Sequence, residues 1–527
     1  MVFTTLPFAA FFVSVFIGYY LLPRNLRWWL LLVASLVFYA YMTPYYLIFL
    51  GLATVVTYCA ARAIDSNLNR QKAWIATNGK TVDRVAKRAY KDGMEKRRKG
   101  IVAVVIVVLI GMLVAFKYLD FLVANFSWLC GVFGVGASFA PFNLLLPIGL
   151  SFYTFQSLGY CIDVEREVVS AERNFFRHAL FVSYFPQVLQ GPIGNYDKLS
   201  SQLFEGRDFE YRDAVFGGQR VAWGLFKKLV IANGIASITN PIWLTPSLHY
   251  GAALWLFVLA LYSIQLYADF SGYMDMACGC SQMLGIRLEE NFDCPYFSGS
   301  IAEFWRRWHM TLGAWFKDYV FYPLMRSEFM SRVRNRLRGN DYLSSTVPTV
   351  LTLLVVWLLI GLWHGADWSY VVYGLYHGGF VMLASVLAPV YKGFNERCPV
   401  LVSCGAYRWF RIARTFMIVT LGYVIFRPAD LAVTRTVVEG CLTVGLRPFG
   451  ALILGNWAQF CKVGLGTVLL IMIDWVHFVH PGCSVRERIS RMNVFCRYSV
   501  YVVFILSIIF LGEYAREELN QFAYFKF

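Results

Sequence analysis

Two histidines lie next to strongly hydrophobic or aromatic stretches of this chain. His309 follows residues 303–308 (EFWRRW), and His364 ends a run, residues 350–363, that carries no formal charge. An ionisable side chain at membrane depth is costly and normally faces protein or a water-filled cavity, which favours a functional site. Imidazole titrates near neutrality, which suits it to proton transfer. The alternative is a hydrogen-bonded histidine at a helix end with a structural role.

The composition indicates which elements must position these residues. Of 527 residues, 58% are hydrophobic and only 15% are charged, which excludes an ordinary soluble protein. Many apolar stretches approach the roughly 20 residues that cross a bilayer. The sequence predicts an all-α polytopic membrane protein with about 11–12 transmembrane helices, and with re-entrant and interfacial helices around a central channel. The predicted spans are residues 3–22, 27–42, 45–61, 101–119, 143–160, 214–237, 251–268, 346–363, 367–388, 408–426, 452–473 and 494–512.

The net charge of +16 is unevenly distributed along the chain. Residues 62–99 contain twelve lysines and arginines against four acidic residues, and beside membrane spans such a segment favours a cytoplasmic loop over nucleic-acid binding. Three predicted spans precede it, which places the amino terminus outside the cytoplasm. A second basic segment, residues 486–497, precedes the last span, so the carboxyl-terminal tail is also predicted to be extracytoplasmic. We therefore expect a multi-pass protein of the cell membrane, with the lipid bilayer and no nucleic acid as partners.

Changes in sequence character divide the chain into three predicted regions. Residues 1–142 hold the amino-terminal helices and the basic loop, residues 143–390 are dense in motifs, and residues 391–527 hold further helices and an aromatic tail. The twelve cysteines show no zinc spacing, so no metal site is predicted.

Parts of the middle region differ from simple spans. Residues 174–213 and 269–300 carry Asn, Gln, Pro, Gly and Asp among aromatics, which predicts re-entrant or surface-lying segments around an internal chamber. Residues 303–322 are amphipathic and rich in tryptophan, which predicts an interfacial helix or a helix that roofs a cavity.

Four motifs carry a resemblance to a known family. They are residues 146–156 (LPIGLSFYTFQ), 267–273 (YADFSGY), 303–309 (EFWRRWH) and 363–366 (WHGA). In this order, and within residues 100–430, they resemble the membrane-bound O-acyltransferase (MBOAT) family, in its bacterial alginate-acetylating and teichoic-acid-alanylating branch.

The resemblance implies that residues 143–390 form the catalytic core. The family's essential histidine, within Trp-His-Gly, corresponds to His364, and its accompanying histidine corresponds to His309. Both are expected to line a channel that joins a cytoplasmic thioester donor to an acceptor on the other face. The expected donor is acetyl-CoA or another acyl thioester, used as a substrate and not as a tightly bound cofactor. Asn195 stands where relatives often place arginine, so the acceptor could differ.

The chemistry of acyl transfer independently requires a base. A hydroxyl is a poor nucleophile near neutral pH, and a histidine within ~3 Å can take its proton during attack on the thioester, which contributes roughly 10²- to 10⁴-fold. We expect His364 to be this base. His309 orients it, polarises the thioester carbonyl or serves as a structural donor. Acylation of a histidine itself stays open.

Other polar residues of the middle region are expected to be structural. His377 has the sequence context of a histidine packed within a helix. Asp269 and Asp275, beside Ser and Gly, are expected to cap or brace local turns. Lys227 and Lys228 are predicted at a cytoplasmic interface, where they lie in solvent or attract the phosphates of coenzyme A.

The chain ends in an aromatic segment, residues 522–527 (FAYFKF). It resembles a carboxyl-terminal motif of some MBOAT cell-envelope systems, in which the tyrosine is thought to carry the acyl group. The resemblance implies that Tyr524 takes the acyl group with His364 as base, and that a separate extracytoplasmic acyltransferase then collects it. A phenol suits a relay because an aryl ester is a better acyl donor than an alkyl ester. The alternative is an aromatic anchor at the membrane interface.

Together these features favour an O-acyltransferase that moves an acyl group, most simply acetyl, to an extracytoplasmic cell-envelope polysaccharide. The helices beyond residue 410 favour polysaccharide acetylation over D-alanyl transfer to teichoic acid. The third hypothesis is a transporter of polysaccharide or lipid. Against it stand the absence of an internal repeat and of paired charges within the membrane segments.

Overall fold

The computed structural model is predominantly helical. It describes residues 1–42, 44–135, 139–246, 250–428, 430–443, 447–482 and 484–514. About 80% of the chain is helical, and the described residues contain no strand, only an antiparallel bridge between Phe292 and Trp308. Nine described helices are long and apolar enough to cross a membrane, namely Arg24–Met42, Pro44–Asn78, Arg84–Val132, Tyr211–Leu244, Gly251–Met283, Asp341–His364, Gly405–Phe426, Trp457–Val479 and Val494–Leu511. The predicted all-α polytopic fold is confirmed.

Packing divides the chain into two compact units. The first comprises Met1–Gly217 and Cys280–Glu289, and the second comprises Gly218–Gly279 and Glu290–Phe527. The three regions distinguished by sequence character do not coincide with these units and remain a prediction about composition.

The first unit consists of helices interrupted by irregular backbone. Its helices are Leu6–Leu21, Arg24–Met42, Pro44–Tyr46, Leu47–Asn78, Arg84–Leu113, Val114–Tyr118, Leu119–Val132, Leu150–Glu165, Phe175–Ser183 and Tyr196–Phe204, and Tyr211–Phe226 continues into the second unit. The spans predicted at 3–22 and 143–160 correspond to helices of 16 residues each. The second of these begins only at Leu150 because Gly149 adopts a left-handed conformation, with φ of 78°.

Within the first unit, the irregular backbone predicted for residues 174–213 is found only in part, since Phe175–Ser183 and Tyr196–Phe204 are helical. Residues 184–195 are non-helical, and all but Asn195 are buried. Some of their polar groups are bonded within the protein, since Ser35 Oγ accepts a hydrogen bond from Phe185 N at 3.1 Å and Gln187 Nε2 donates to Pro192 O at 2.9 Å. Irregular backbone within a membrane protein is tolerated where such internal partners exist.

The basic segment of the first unit is a helical hairpin and not an irregular loop. Leu47–Asn78 and Arg84–Leu113 contain 32 and 30 residues, which exceeds the roughly 20 that cross a bilayer. The ends of the hairpin are joined by a stacked pair, Trp74 and Tyr90, with ring centroids 4.0 Å apart.

The second unit contains both predicted site histidines, His309 and His364. Most of helix Gly251–Met283 belongs to this unit. The other helices of the unit are Lys227–Ala232, Asn233–Leu244, Pro295–Phe297, Ile301–Arg307, Met310–Phe316, Lys317–Phe321, Tyr322–Met325, Glu328–Arg336, Asp341–His364, Trp368–Val386, Ala388–Arg397, Pro399–Ser403, Gly405–Phe426, Leu431–Cys441, Arg447–Gly455, Trp457–Val479, Val485–Ser490 and Val494–Leu511. The span predicted at 367–388 bends by 58° into the following helix.

Two expectations about residues 269–322 are met only in part. Residues 284–300 are irregular, as predicted, apart from the short helix Pro295–Phe297. Residues 269–283 do not form an irregular segment but continue the 33-residue helix Gly251–Met283, because the carboxylates that suggested a turn are paired with cations of a facing helix. Residues 303–322 do not form one helix. The chain breaks at His309, between Ile301–Arg307 and Met310–Phe316.

Candidate active site

His364 lies at the turn of a tightly packed helical hairpin. It is the last residue of Asp341–His364, and the chain returns through Trp368–Val386. Asp367 starts the second helix, since its side chain accepts a hydrogen bond from Ser369 N at 2.7 Å. A regular helix end and a capped helix start therefore fix the position of His364 along the chain.

Glycines allow the two helices of this hairpin to approach each other closely, as small residues do in membrane proteins. A methyl group at Gly374 would come within 2.5 Å of Trp357 O, and one at Gly378 within 2.6 Å of Trp357 Cβ. A methyl group at Gly365, directly after the histidine, would come within 2.1 Å of the Tyr370 ring. The hairpin turn has no room for a side chain at these positions.

Aromatic rings surround the imidazole of His364. The rings of Tyr373 and Phe426 are perpendicular to it, at centroid distances of 6.1 and 5.5 Å. The centroid of the Trp363 indole lies 5.0 Å from that of the imidazole. Only 6% of His364 is exposed, so packing against these rings restricts the movement of the imidazole.

His309 lies at the break between two short helices. Its backbone adopts a left-handed conformation, with φ of 49° and ψ of 54°, which costs a residue other than glycine about 1–3 kcal/mol and persists only where the surroundings enforce it. The enforcing residue is Asn291, whose carbonyl accepts from Met310 N at 3.0 Å and whose side chain accepts from Thr311 N at 2.9 Å.

The ring of His309 is also held by neighbours. Phe270 lies perpendicular to it at 4.8 Å between centroids, and Trp363 lies 5.7 Å away at 60°. The Nδ1 atom is 3.4 Å from Asn291 Oδ1. Only 2% of His309 is exposed, and this burial lowers the pKa of the ring from 6.5 to about 3, so the imidazole is neutral near pH 7.

The structure brings the two predicted histidines together around one indole. The Trp363 indole lies 5.7 Å from the His309 ring and 5.0 Å from the His364 ring between centroids, although His309 lies at a helix break and His364 ends a separate helix. Both rings are covered by aromatic side chains, so a substrate reaches them only when some of these side chains move. A neutral imidazole can accept a proton, and the water-poor surroundings disfavour hydrolysis of an activated acyl group.

Buried charges adjoin the His309 side of this site. Lys228 donates to Asp269 Oδ1 at 2.6 Å, and both side chains are almost fully buried. Asp269 directly precedes Phe270, the residue that lies against His309. The expectation that Lys228 lies in a solvated interface is therefore wrong, because its charge is neutralised by a carboxylate and not by water.

A second buried ion pair extends this network. Lys227 Nζ contacts Asp275 Oδ2 at 2.6 Å, and Arg220 Nε donates to Asp275 Oδ1 at 2.8 Å. Arg220 also donates to Glu290 at 2.7 Å, next to Asn291. Lys227 too is buried and not at a solvated interface. Asp275 has a structural role, but it joins helices and does not cap a turn.

These pairs also correct the argument against a transporter. Paired charges do occur within the membrane segments of this chain, so their supposed absence no longer counts. Sequence reasoning missed them because the partners are separated by 41 residues for Lys228 and Asp269. The only available signal was the coexistence of two Lys and two Asp in otherwise apolar segments.

The remaining predicted residues are His377, Asn195 and Tyr524. His377 is completely buried and packs against Trp305 at 5.1 Å and Tyr373 at 4.6 Å, as expected of a packed histidine. Asn195 precedes helix Tyr196–Phe204 in the first unit. Tyr524 lies outside the described residues, so its role remains a prediction. Across the described residues, no group of three or more His, Cys, Asp or Glu is placed to bind a metal.

Comparison with known proteins places these observations in a family. A model of the MBOAT family, the membrane-bound O-acyltransferases, matches residues 164–425, a segment that contains both histidines, Asn291 and the buried charges. The probable alginate O-acetylase AlgI of Pseudomonas aeruginosa is 34% identical over 482 residues, covering 91% of this chain and 81% of the relative.

Two further relatives differ in the polymer that their names specify. The peptidoglycan O-acetyltransferase of Helicobacter pylori is 30% identical and covers 83% of this chain and 79% of its own length. The teichoic acid D-alanyltransferase of Bacillus subtilis is also 30% identical, but over only 54% of this chain and 70% of its own length. The two acetyltransferases therefore match a larger share of the chain than the alanyltransferase.

Proposed function

Because the chain belongs to the membrane-bound O-acyltransferase family, we propose that it moves an acetyl group from cytoplasmic acetyl-CoA across the membrane to O-acetylate an extracytoplasmic cell-envelope polysaccharide. The observation that carries the proposal is the placement of His309 and His364 against one indole, within the segment that matches the family. That the chain is a multi-pass membrane O-acyltransferase follows from the family itself.

His364 is the general base of the proposed reaction. As the acceptor hydroxyl attacks the thioester carbonyl, the imidazole takes the hydroxyl proton, the C–O bond forms and the C–S bond breaks. The same histidine then returns the proton to the departing thiolate, which leaves as a free thiol. General base catalysis of this kind is worth roughly 10²- to 10⁴-fold.

The orientation of the chain gives this reaction its direction. The basic hairpin of residues 62–99 lies in the cytoplasm under the positive-inside rule, and both termini lie outside. Acetyl-CoA approaches from the cytoplasmic side and the acceptor from the other side, through a channel that opens onto the two histidines. The buried position of both rings supports a gated path and not an open pore.

Tyr524 is the proposed first acceptor. Its phenol oxygen attacks the thioester with His364 as base, which yields an aryl acetate and coenzyme A. A separate extracytoplasmic acyltransferase then transfers the acetyl group to the polysaccharide. The extracytoplasmic position proposed for the tail and the activated character of an aryl ester support this relay.

D-alanyl transfer to teichoic acid is the second candidate, and the similarity to the Bacillus subtilis protein favours it. Acetylation is preferred because the acetyltransferase relatives also match chain beyond the shared core. The second unit continues past Gly405–Phe426 with Leu431–Cys441, Trp457–Val479 and Val494–Leu511.

The experiment supplies radiolabelled acetyl-CoA, or a radiolabelled D-alanyl carrier-protein thioester, to the purified protein in lipid nanodiscs. We expect acetyl label to appear on the protein, and to be lost in His364→Asn and in Tyr524→Phe. The matched controls are His178→Asn, which changes another buried histidine, and Tyr514→Phe, which changes another tyrosine near the carboxyl terminus. Both should retain the label.

Each outcome decides a separate part of the proposal. Labelling by the alanyl thioester alone replaces acetyl with D-alanyl. Undiminished labelling in His364→Asn removes the proposed base, and undiminished labelling in Tyr524→Phe removes the relay. If neither thioester labels the protein or is consumed by it, the proposed donor is wrong.

A further inference from the structure

Asn291 is positioned by its backbone beside the break at His309. Phe292 and Trp308 form an antiparallel bridge, Asp293 N donates to Arg307 O at 3.0 Å, and Met310 N donates to Asn291 O at 3.0 Å. Two chain segments therefore run side by side at this point. The side chain of Asn291, which is 1% exposed, is consequently held next to the imidazole of His309.

The orientation of the Asn291 amide follows from its hydrogen bonds. Thr311 N lies 2.9 Å from Asn291 Oδ1, and Thr311 Oγ1 lies 2.7 Å from the same atom. A backbone N–H can only donate, so the amide atom that it meets is the carbonyl oxygen and not the nitrogen. The amide nitrogen points the other way, 3.1 Å from Met274 Sδ.

This orientation determines which nitrogen of His309 carries the proton. Nδ1 lies 3.4 Å from the carbonyl oxygen of Asn291, near the long end of the hydrogen-bond range, and an oxygen that accepts requires Nδ1 to donate. A neutral imidazole carries one N–H. Nε2 is then unprotonated and can only accept.

We propose that Asn291 is a positioning residue that fixes His309 as the Nδ1–H tautomer, so that His309 accepts a hydrogen bond at Nε2 and does not donate one to the thioester carbonyl. The inference rests on the proposed function for its catalytic meaning. This tautomer excludes one of the roles that the sequence left open for His309, because polarising the thioester carbonyl needs a hydrogen-bond donor. His309 instead orients an O–H or N–H donor in the substrate complex.

The decisive measurement is ¹⁵N NMR of the protein labelled at histidine nitrogen, in nanodiscs. His309→Asn removes one pair of signals and so identifies those of His309. We expect the Nε2 signal at the position of an unprotonated nitrogen and the Nδ1 signal at that of an N–H. A protonated Nε2, or an even mixture of the two tautomers, overturns the proposal.

Asn291→Asp provides the second test. A carboxylate accepts the same hydrogen bonds from Thr311 and keeps Nδ1 protonated, but its charge favours the imidazolium. The NMR titration midpoint of His309 should therefore rise by at least one pH unit, whereas an unchanged midpoint contradicts the proposal. Asn233→Asp is the matched control, since Asn233 is another buried asparagine of the same unit and donates to the Glu513 carbonyl. It should leave the midpoint unchanged.

The spectrum is independent of catalysis. If Asn291→Asp does not fold, the tautomer in the wild-type protein still decides the question. If the wild-type protein transfers no acyl group, the proposed function is wrong. The NMR spectrum still decides the tautomer of His309 in that case.

Discussion

The two histidines of the site lie on different kinds of local backbone. His364 ends a regular helix and is held by glycine-mediated packing and by aromatic rings. His309 interrupts a helix in a strained backbone conformation and is fixed by hydrogen bonds to Asn291, beside buried ion pairs. A regular helix end therefore presents one imidazole, whereas a strained break braced by an asparagine from a separate segment presents the other.

The largest effect on stability is expected on the polar side of the site. Lys228→Met leaves Asp269 without its ammonium partner in a buried position, which should lower the free energy of unfolding by about 3–5 kcal/mol. Thermal unfolding in nanodiscs measures this. The double variant with Asp269→Leu should recover most of the loss.

The control for this variant is Lys392→Met, which breaks an exposed pair with Glu396. This substitution should lower the free energy of unfolding by less than about 1 kcal/mol. Equal effects of the two lysine substitutions would show that the buried pair does not support the His309 side.

On the packing side, Gly365→Ala should displace the Tyr370 ring, which a new methyl group would meet at 2.1 Å. Tyr370 contacts Phe426, and Phe426 contacts His364, so the displacement reaches the imidazole. Overpacking of this kind costs about 1–3 kcal/mol, and acyl transfer should fall with it. Gly379→Ala, where a methyl group meets nothing within 4 Å, should retain both stability and activity.

The stability conferred by the His309 side should also depend on pH. Burial lowers the pKa of His309 from 6.5 to about 3, so the unfolded chain binds the proton more readily. The contribution of the neutral, buried His309 to stability is complete above pH 6.5, and it declines as the pH falls towards the lowered pKa of this residue. Between pH 7 and pH 5, the free energy of unfolding of the wild-type protein should fall by ~2 kcal/mol more than that of His309→Asn. Parallel pH profiles of the two proteins would contradict this.

The smallest expected effect concerns backbone conformation. Asparagine tolerates the left-handed region better than glutamine, whereas glutamine has the higher helix propensity. His309→Asn should therefore be more stable than His309→Gln, and His364→Gln more stable than His364→Asn, by about 0.5–1 kcal/mol in each case. If the same substitution gives the more stable variant at both positions, backbone conformation does not determine these differences in stability.

Much of the fold was predictable from hydropathy, and the exceptions are informative. Residues 269–283 were expected to be irregular because Asp, Ser and Gly favour turns, yet they are helical since Lys227 and Lys228 neutralise the carboxylates. The break at His309 had no local signal either. No proline or glycine precedes it, and the hydrogen bonds that stabilise it come from Asn291, in a separate segment.

The sequence by itself determined that this is a multi-pass α-helical membrane protein, because hydropathy sums over neighbouring residues. It also determined which two histidines stand out, because apolar or aromatic surroundings along the chain are visible without a fold. Only the tertiary structure decided that both rings share the indole of Trp363, which lysine meets which aspartate, and which nitrogen of His309 faces Asn291. These depend on distances of a few ångströms between atoms far apart in the chain, which no local pattern encodes.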